Sequence, residues 1–151
     1  MNVDAAISQD AKSIGVGAII RNSSGEVMAA LAKWIDGCFS SKVTETKALG
    51  LSLLWAKDVG LNLQVVESDA LTVVQALQTS SICNSEFGAL LLDVFSLLFL
   101  FHGVCVRHVY RDANRVAHEL AKYALRLDDE LIWLEDVPPP VLSVVFSDLS
   151  N

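Results

Sequence analysis

Three acidic residues stand where acids are either costly or useful: Asp4 inside the apolar stretch "NVDAAI", Glu45 in "TETKAL", and Asp69 in "VVESDAL" directly after a short apolar run. An ionised carboxylate in a central strand is expensive to bury unless something neutralises it, and a bound cation does so. Carboxylates that converge on one point repel each other. The usual resolution is Mg²⁺ or Mn²⁺, hard ions that favour oxygen ligands. Two such ions about 4 Å apart activate a water on one side of a phosphate and stabilise the leaving oxygen on the other, which is phosphodiester hydrolysis. On spacing alone a plainer reading stands beside this one: solvated acids in a chain that carries 18 of them.

The elements that must position these acids follow from periodicity. "MNVDAAI" reads as a strand; "SIGVGAIIR" and "EVMAALAKWI" flank the turn-rich "NSSG" and predict an antiparallel hairpin, with Ile14, Val16, Ala18 and Ile20 on one face. From Ser41 the pattern turns helical, with Ala48, Leu49, Ser52, Trp55 and Ala56 on one stripe and Gly60 as the stop. "LQVVES" predicts a short buried strand that ends at Asp69, "DALTVVQAL" and "SEFGALLLDVFSLLFLF" two helices, and "VCVRHV" a strand. "ANRVAHELAKYALRL" predicts the last helix, its apolar face formed by Val116, Ala117, Leu120, Ala121 and Ala124. The order β-β-β-α-β-α-α-β-α implies an α/β fold: a five-stranded mixed sheet, its first three strands antiparallel, with helices on both faces. In such a sheet ligands gather at the carboxyl ends of strands and at helix starts, where Glu45 and Asp69 fall.

Composition narrows the function classes. At 151 residues the chain suits one domain. With 52% hydrophobic and 19% charged residues it is too apolar for disorder. A net charge of −7 opposes non-specific binding to a phosphate backbone, so any nucleic-acid role needs local positive charge. Cys38, Cys83 and Cys105 are odd in number and contain no CxxC pair, which favours a reducing, intracellular compartment, nuclear or cytoplasmic. The run "FGALLLDVFSLLFLFHGVCV" approaches the roughly 20 residues needed to span a bilayer. Asp93 and His102 interrupt it, so a buried helix passing through Gly103 into a strand is expected, and no membrane partner. "MNVDAAISQDAK" lacks the features of a secretion signal, and its abrupt β-like opening suggests a chain cut from something longer, with a domain formerly on its N-terminal side.

Read together, "NVDAA…GVGAIIR", "TETKALGLSLLWA", "VVESDAL" and "HVYRDANRVAHELAK" resemble the type 1 ribonuclease H fold, in particular the reverse-transcriptase-associated ribonuclease H-like domains of plant genomes. The resemblance covers residues 1–126 as one domain and leaves 127–151 as a proline-containing tail that packs only in part. It implies a monomeric endonuclease that cleaves the RNA strand of an RNA/DNA hybrid, with two Mg²⁺ or Mn²⁺ ions held by an Asp, Glu, Asp, Asp set. Asp4, Glu45 and Asp69 fall on the first three positions, and "NRVAHELA" puts His118 where the fourth aspartate is expected. His118 is thus a candidate ligand that favours Mn²⁺ over Mg²⁺, a candidate proton carrier, or a bystander on the helix surface. Asn114 and Arg111 are the implied substrate-binding residues, and His108 sits where some members carry a histidine that assists product release. Residues 70–100 contain no lysine or arginine, so the basic protrusion of many members is missing. The alternative is a retroelement-derived domain with weak or no catalysis, serving as a nucleic-acid or protein binding module.

Overall fold

The alternation of Val16, Ala18 and Ile20 resolves into the middle of a sheet in the computed structural model, which describes residues 1–150. Strands β1 (Asn2–Ser8), β2 (Ser13–Arg21) and β3 (Val27–Asp36) pair antiparallel in sequence. The β2–β3 turn is made by its own side chains: Asn22 Oδ1 accepts from the backbone N–H groups of Ser24 and Glu26. Gly25, at φ 84°, takes the left-handed position that the turn requires. Helix α1 (Ser41–Asp58) follows, then β4 (Val65–Ser68), α2 (Leu71–Thr79), α3 (Glu86–Leu98) and β5 (Cys105–His108). A 3₁₀ turn at Arg111–Asn114 leads into α4 (Arg115–Ala124).

β4 lies parallel to β1, and β5 parallel to β4, which makes the sheet mixed. Its order is β5-β4-β1-β2-β3-β6, and this corrects the expected strand count from five to six. The added strand, β6 (Glu130–Leu134), pairs antiparallel with β3 from Ala29↔Leu134 to Lys33↔Glu130. It escaped sequence reading because "ELIWL" lacks a buried alternate face: only Trp133 is partly covered, against Tyr123 and the second core. Backbone pairing to the open edge of β3, and not side-chain burial, recruits it. After it, α5 (Leu142–Leu149) turns Val145 inward beside Val141.

Two cores form, one on each side of the sheet. Val3, Val16, Ala18, Ile20 and Leu31 pack beneath α1 and α3 through Leu49, Leu53, Leu91 and Val94. Ile19, Ala30 and Ala32 pack beneath α4 through Val116, Leu120 and Ala124. The long apolar run divides as expected: α3 stops at Leu98, Gly103 turns the chain at φ 71°, and β5 begins at Cys105. Among the described residues no helix is long and apolar enough to cross a membrane.

Helix α4 sits unusually close to β2 because the residues beneath it have no side chain. A Cβ on Gly15 would collide with the backbone carbonyl of Ala121, and one on Gly17 with that of Ala117. Gly17 is also the register partner of Asp4, so the same close approach that seats α4 carries it over the first acid. Backbone cannot move aside as a flexible side chain can. Gly17→Ala is therefore expected to lower stability by about 3 kcal/mol or more in chemical denaturation, at the upper end of overpacking costs. Gly50→Ala in α1 meets only Val94 Cγ2 at 3.7 Å. It should stabilise by roughly 0.5–1 kcal/mol, the helix preference of alanine over glycine.

Candidate active site

The parallel junction of β1 with β4 brings the first two elements of the site together, since Val3 is registered with Ser68 and each precedes an aspartate. Ser68 Oγ accepts from Ala70 N at 3.1 Å, which bends the chain beyond β4 and turns Asp69 away from the strand. Glu45 comes from the second turn of α1, and with Asp69, Lys42 and Arg111 it lines an open cleft of about 510 Å³. Glu45 and Asp69 thus share one cleft, and Asp4 is linked to Asp69 through His118 and Arg111.

Asn114, at the junction of the 3₁₀ turn with α4, is the joint between these parts. It is 1% exposed, and its Nδ2 donates to Val3 O at 2.9 Å and to Asp69 Oδ1 at 3.2 Å. Its Oδ1 accepts from Asn2 Nδ2 at 3.2 Å, and that amide also donates to Glu67 Oε2 at 3.0 Å. With both donors and its acceptor spent inside the protein, the Asn114 amide locks the Asp69 bend to β1. Asn2, which sequence reading passed over, completes this joint. Its signal was a short polar residue two positions before Asp4, on the same side of the strand.

One helical turn after Asn114, His118 faces Asp4 and not bulk solvent. Its Nδ1 lies 2.7 Å from Asp4 Oδ2, while Asp4 Oδ1 is buried with no hydrogen-bond partner. Arg111 reaches the same cluster: Nε is 2.7 Å from Asp69 Oδ2, and Nη1 is 3.0 Å from His118 Nδ1 and 3.3 Å from Nε2. The tautomer that serves both neighbours carries its proton on Nδ1, donating to Asp4, and accepts from Arg111 at Nε2. His108 ends β5 with its ring edge-on to Tyr110, centroids 5.6 Å apart, in the strand setting that "VCVRHV" predicts.

The acids feel one another. Burial, and then the charge of Asp69, push the Asp4 carboxyl above its ordinary range, against the hydrogen bond from His118. Burial, and then Asp4 and Asp69, push Glu45 from 4.5 to about 9, with Arg111 pulling the other way. Both shifts report first the cost of ionising a buried carboxyl and then the negative charge of its acidic neighbours. A divalent cation would answer both the unpartnered Asp4 oxygen and the crowding, and the oxygen donors of Asp4, Glu45 and Asp69 are of the type such an ion takes. Among the described residues no three His, Cys, Asp or Glu side chains are already drawn close enough to hold a metal. Asp4 and Asp69 turn instead towards His118 and Arg111.

The sequence profile of the reverse transcriptase-like family matches residues 2–124. No curated protein sequence matches the chain. Among solved structures, RNase H1 from the halophilic archaeon Halobacterium salinarum NRC-1 is 25% identical, with a TM-score of 0.75 over 83% of this chain and 95% of that one. The N-terminal RNase H domain of Rv2228c from Mycobacterium tuberculosis is 21% identical, with a TM-score of 0.72 over 82% and 90%. LC11-RNase H1, isolated from compost by a metagenomic approach and solved in complex with an RNA/DNA hybrid, is 18% identical, with a TM-score of 0.73 over 83% and 94%.

Between pH 4.5 and about 9 the folded, metal-free protein keeps a proton on Glu45 that the unfolded chain releases. The group therefore contributes stability that is present at acidic pH and lost as pH rises through that window. In chelator, Glu45→Gln should gain stability relative to the parent as pH is raised from 5.5 to 9, measured by denaturant midpoints. Parallel curves for the two proteins would remove this account of the acid cluster.

Proposed function

The chain belongs to the reverse transcriptase-like, ribonuclease H-like family, and we propose that it is a divalent-metal-dependent endonuclease acting on the RNA strand of RNA/DNA hybrids. The observation that carries this reading is that Glu45 and Asp69 line one open cleft, with Asp4 linked to Asp69 through His118 and Arg111 and one of its buried oxygens left without a partner. The solved neighbour in complex with an RNA/DNA hybrid supports the substrate class.

In this reading the three carboxylates hold the metal, which when bound supplies an activated water and neutralises charge on the leaving oxygen. Everything else is positioning by the chain itself. Asn114 fixes the Asp69 bend against β1, and His118 holds Asp4 Oδ2 while leaving Oδ1 without a protein partner. Arg111, whose side chain is 58% exposed, presents its remaining N–H groups to a phosphate in the cleft, a geometry suited to guanidinium. Two-ion hydrolysis, the arrangement implied by the resemblance, does not fit as directly. His118 and Arg111 occupy the side of Asp4 and Asp69 where a fourth carboxylate would recruit a second ion.

The same two contacts favour a second reading, a binding module whose acids are partly neutralised from within. Recognition of a hybrid by shape and 2′-hydroxyl contacts needs no base readout. With a net charge of −7 and no basic residue between 70 and 100, affinity depends on few phosphate contacts and falls with salt.

A labelled RNA/DNA hybrid incubated separately with Mg²⁺ and with Mn²⁺ separates the two readings. Cleavage confined to the RNA strand is expected. Asp69→Asn should lower it by roughly 100-fold or more, the upper end of losses for disturbed metal sites. His118→Asp should raise the Mg²⁺-dependent rate, because it adds an oxygen ligand and a negative charge. Unchanged rates in both variants would remove the metal-centred mechanism, and hybrid binding without cleavage in either metal would leave the binding module.

A further inference from the structure

We propose that this site takes a single divalent cation, held by Asp4, Glu45 and Asp69, and that the Arg111 guanidinium stands where a second ion would lie. The inference rests on the metal site proposed above and concerns how many ions it admits.

The donors are already divided between two sides of the cluster. On one side, Asp69 Oδ2 is bound to Arg111 Nε, and Asp4 Oδ2 to His118 Nδ1, each at 2.7 Å. Both His118 nitrogens already have neighbours: Nδ1 serves Asp4 at 2.7 Å, and Arg111 Nη1 lies 3.0 Å from Nδ1 and 3.3 Å from Nε2. For His118 to ligate a metal it must abandon one of these partners, and the arginine must withdraw from Asp69. On the other side, Asp4 Oδ1 is buried and unpartnered, and Glu45 lines the open cleft together with Asp69. Open ligand capacity therefore lies on the Glu45 side alone.

Formal charge gives the same count. Three carboxylates and one guanidinium leave two negative charges, which one divalent cation neutralises; a second would leave the half-buried cluster with two positive charges. Guanidinium cannot shed its proton in a protein, so its charge is a permanent fixture of the site. It supplies positive charge between Asp69 and the histidine without requiring the oxygen ligands that a second hard ion needs.

Titration of the metal-free chain with Mn²⁺, followed by calorimetry and electron paramagnetic resonance, reads the number directly. One ion per chain is expected, with the six-line signal of an isolated Mn²⁺ and no nitrogen hyperfine coupling from histidine. The double variant Arg111→Ala/His118→Asp has four carboxylates and no guanidinium, and should bind two ions with a spin-coupled signal. Arg111→Gln alone retains the cluster's hydrogen-bonding shape, and should tighten the first ion by about tenfold or more through the loss of an adjacent positive charge. Two ions in the parent protein, a histidine nitrogen on the metal, or an Arg111→Gln protein of unchanged affinity would overturn the inference while leaving the metal-dependent nuclease standing. No ion at all in a folded parent would overturn both.

Discussion

The fold is organised around one uncomfortable group, the carboxylate of Asp4 in the central strand of a sheet covered on both faces. Fully buried, it holds a single side-chain hydrogen bond, to His118, and its second oxygen has none. An uncompensated charge in such a place costs several kcal/mol. The helix that relieves it reaches it only because Gly15 and Gly17 let the α4 backbone rest directly on β2. The strand sequence, the seat of the last helix and the state of the site are thus parts of one constraint.

From Asp4 the constraint spreads through Asn114. A single buried amide ties the backbone of β1, the Asp69 bend and the start of α4, and Asn2 extends the tie to Glu67 in β4. Since every donor of that amide is satisfied, the joint is stiff, and stiffness is what a metal or phosphate site needs from its surroundings. Glu45 comes from the opposite face, on α1, and is free of this joint. Burial, and then the charges of Asp4 and Asp69, raise its pKa to about 9 in the absence of a cation. The site trades local stability for readiness to accept positive charge.

Much of this was open to a reader of the sequence. The α4 stripe of Val116, Leu120 and Ala124, the hairpin about "NSSG", and the strand that breaks at Asp69 are local patterns, and each became the element it suggested. Asp4 was marked by its place inside an apolar strand, and that Glu45 and Asp69 would share a cleft was legible from a helix start and a strand end. β6 was not, because an edge strand held by backbone pairing leaves no alternation in its side chains. The part taken by Gly15 and Gly17 left a faint sign, two glycines at strand period opposite an acid. Its meaning required the helix that lies on them.

Sequence alone determined the elements through the last expected helix and marked the acids of interest, because periodicity and the cost of burying charge act over a few residues at a time. Tertiary structure decided what those acids are paired with. That His118 would turn inwards to Asp4, that Asn114 would be spent on the protein and not on a ligand, and that Arg111 would bridge Asp69 and the histidine all depend on groups seven to more than one hundred positions apart. Such partnerships are set by how closely α4 packs on the sheet, a distance fixed by backbone contact at two glycines, and no local pattern encodes it.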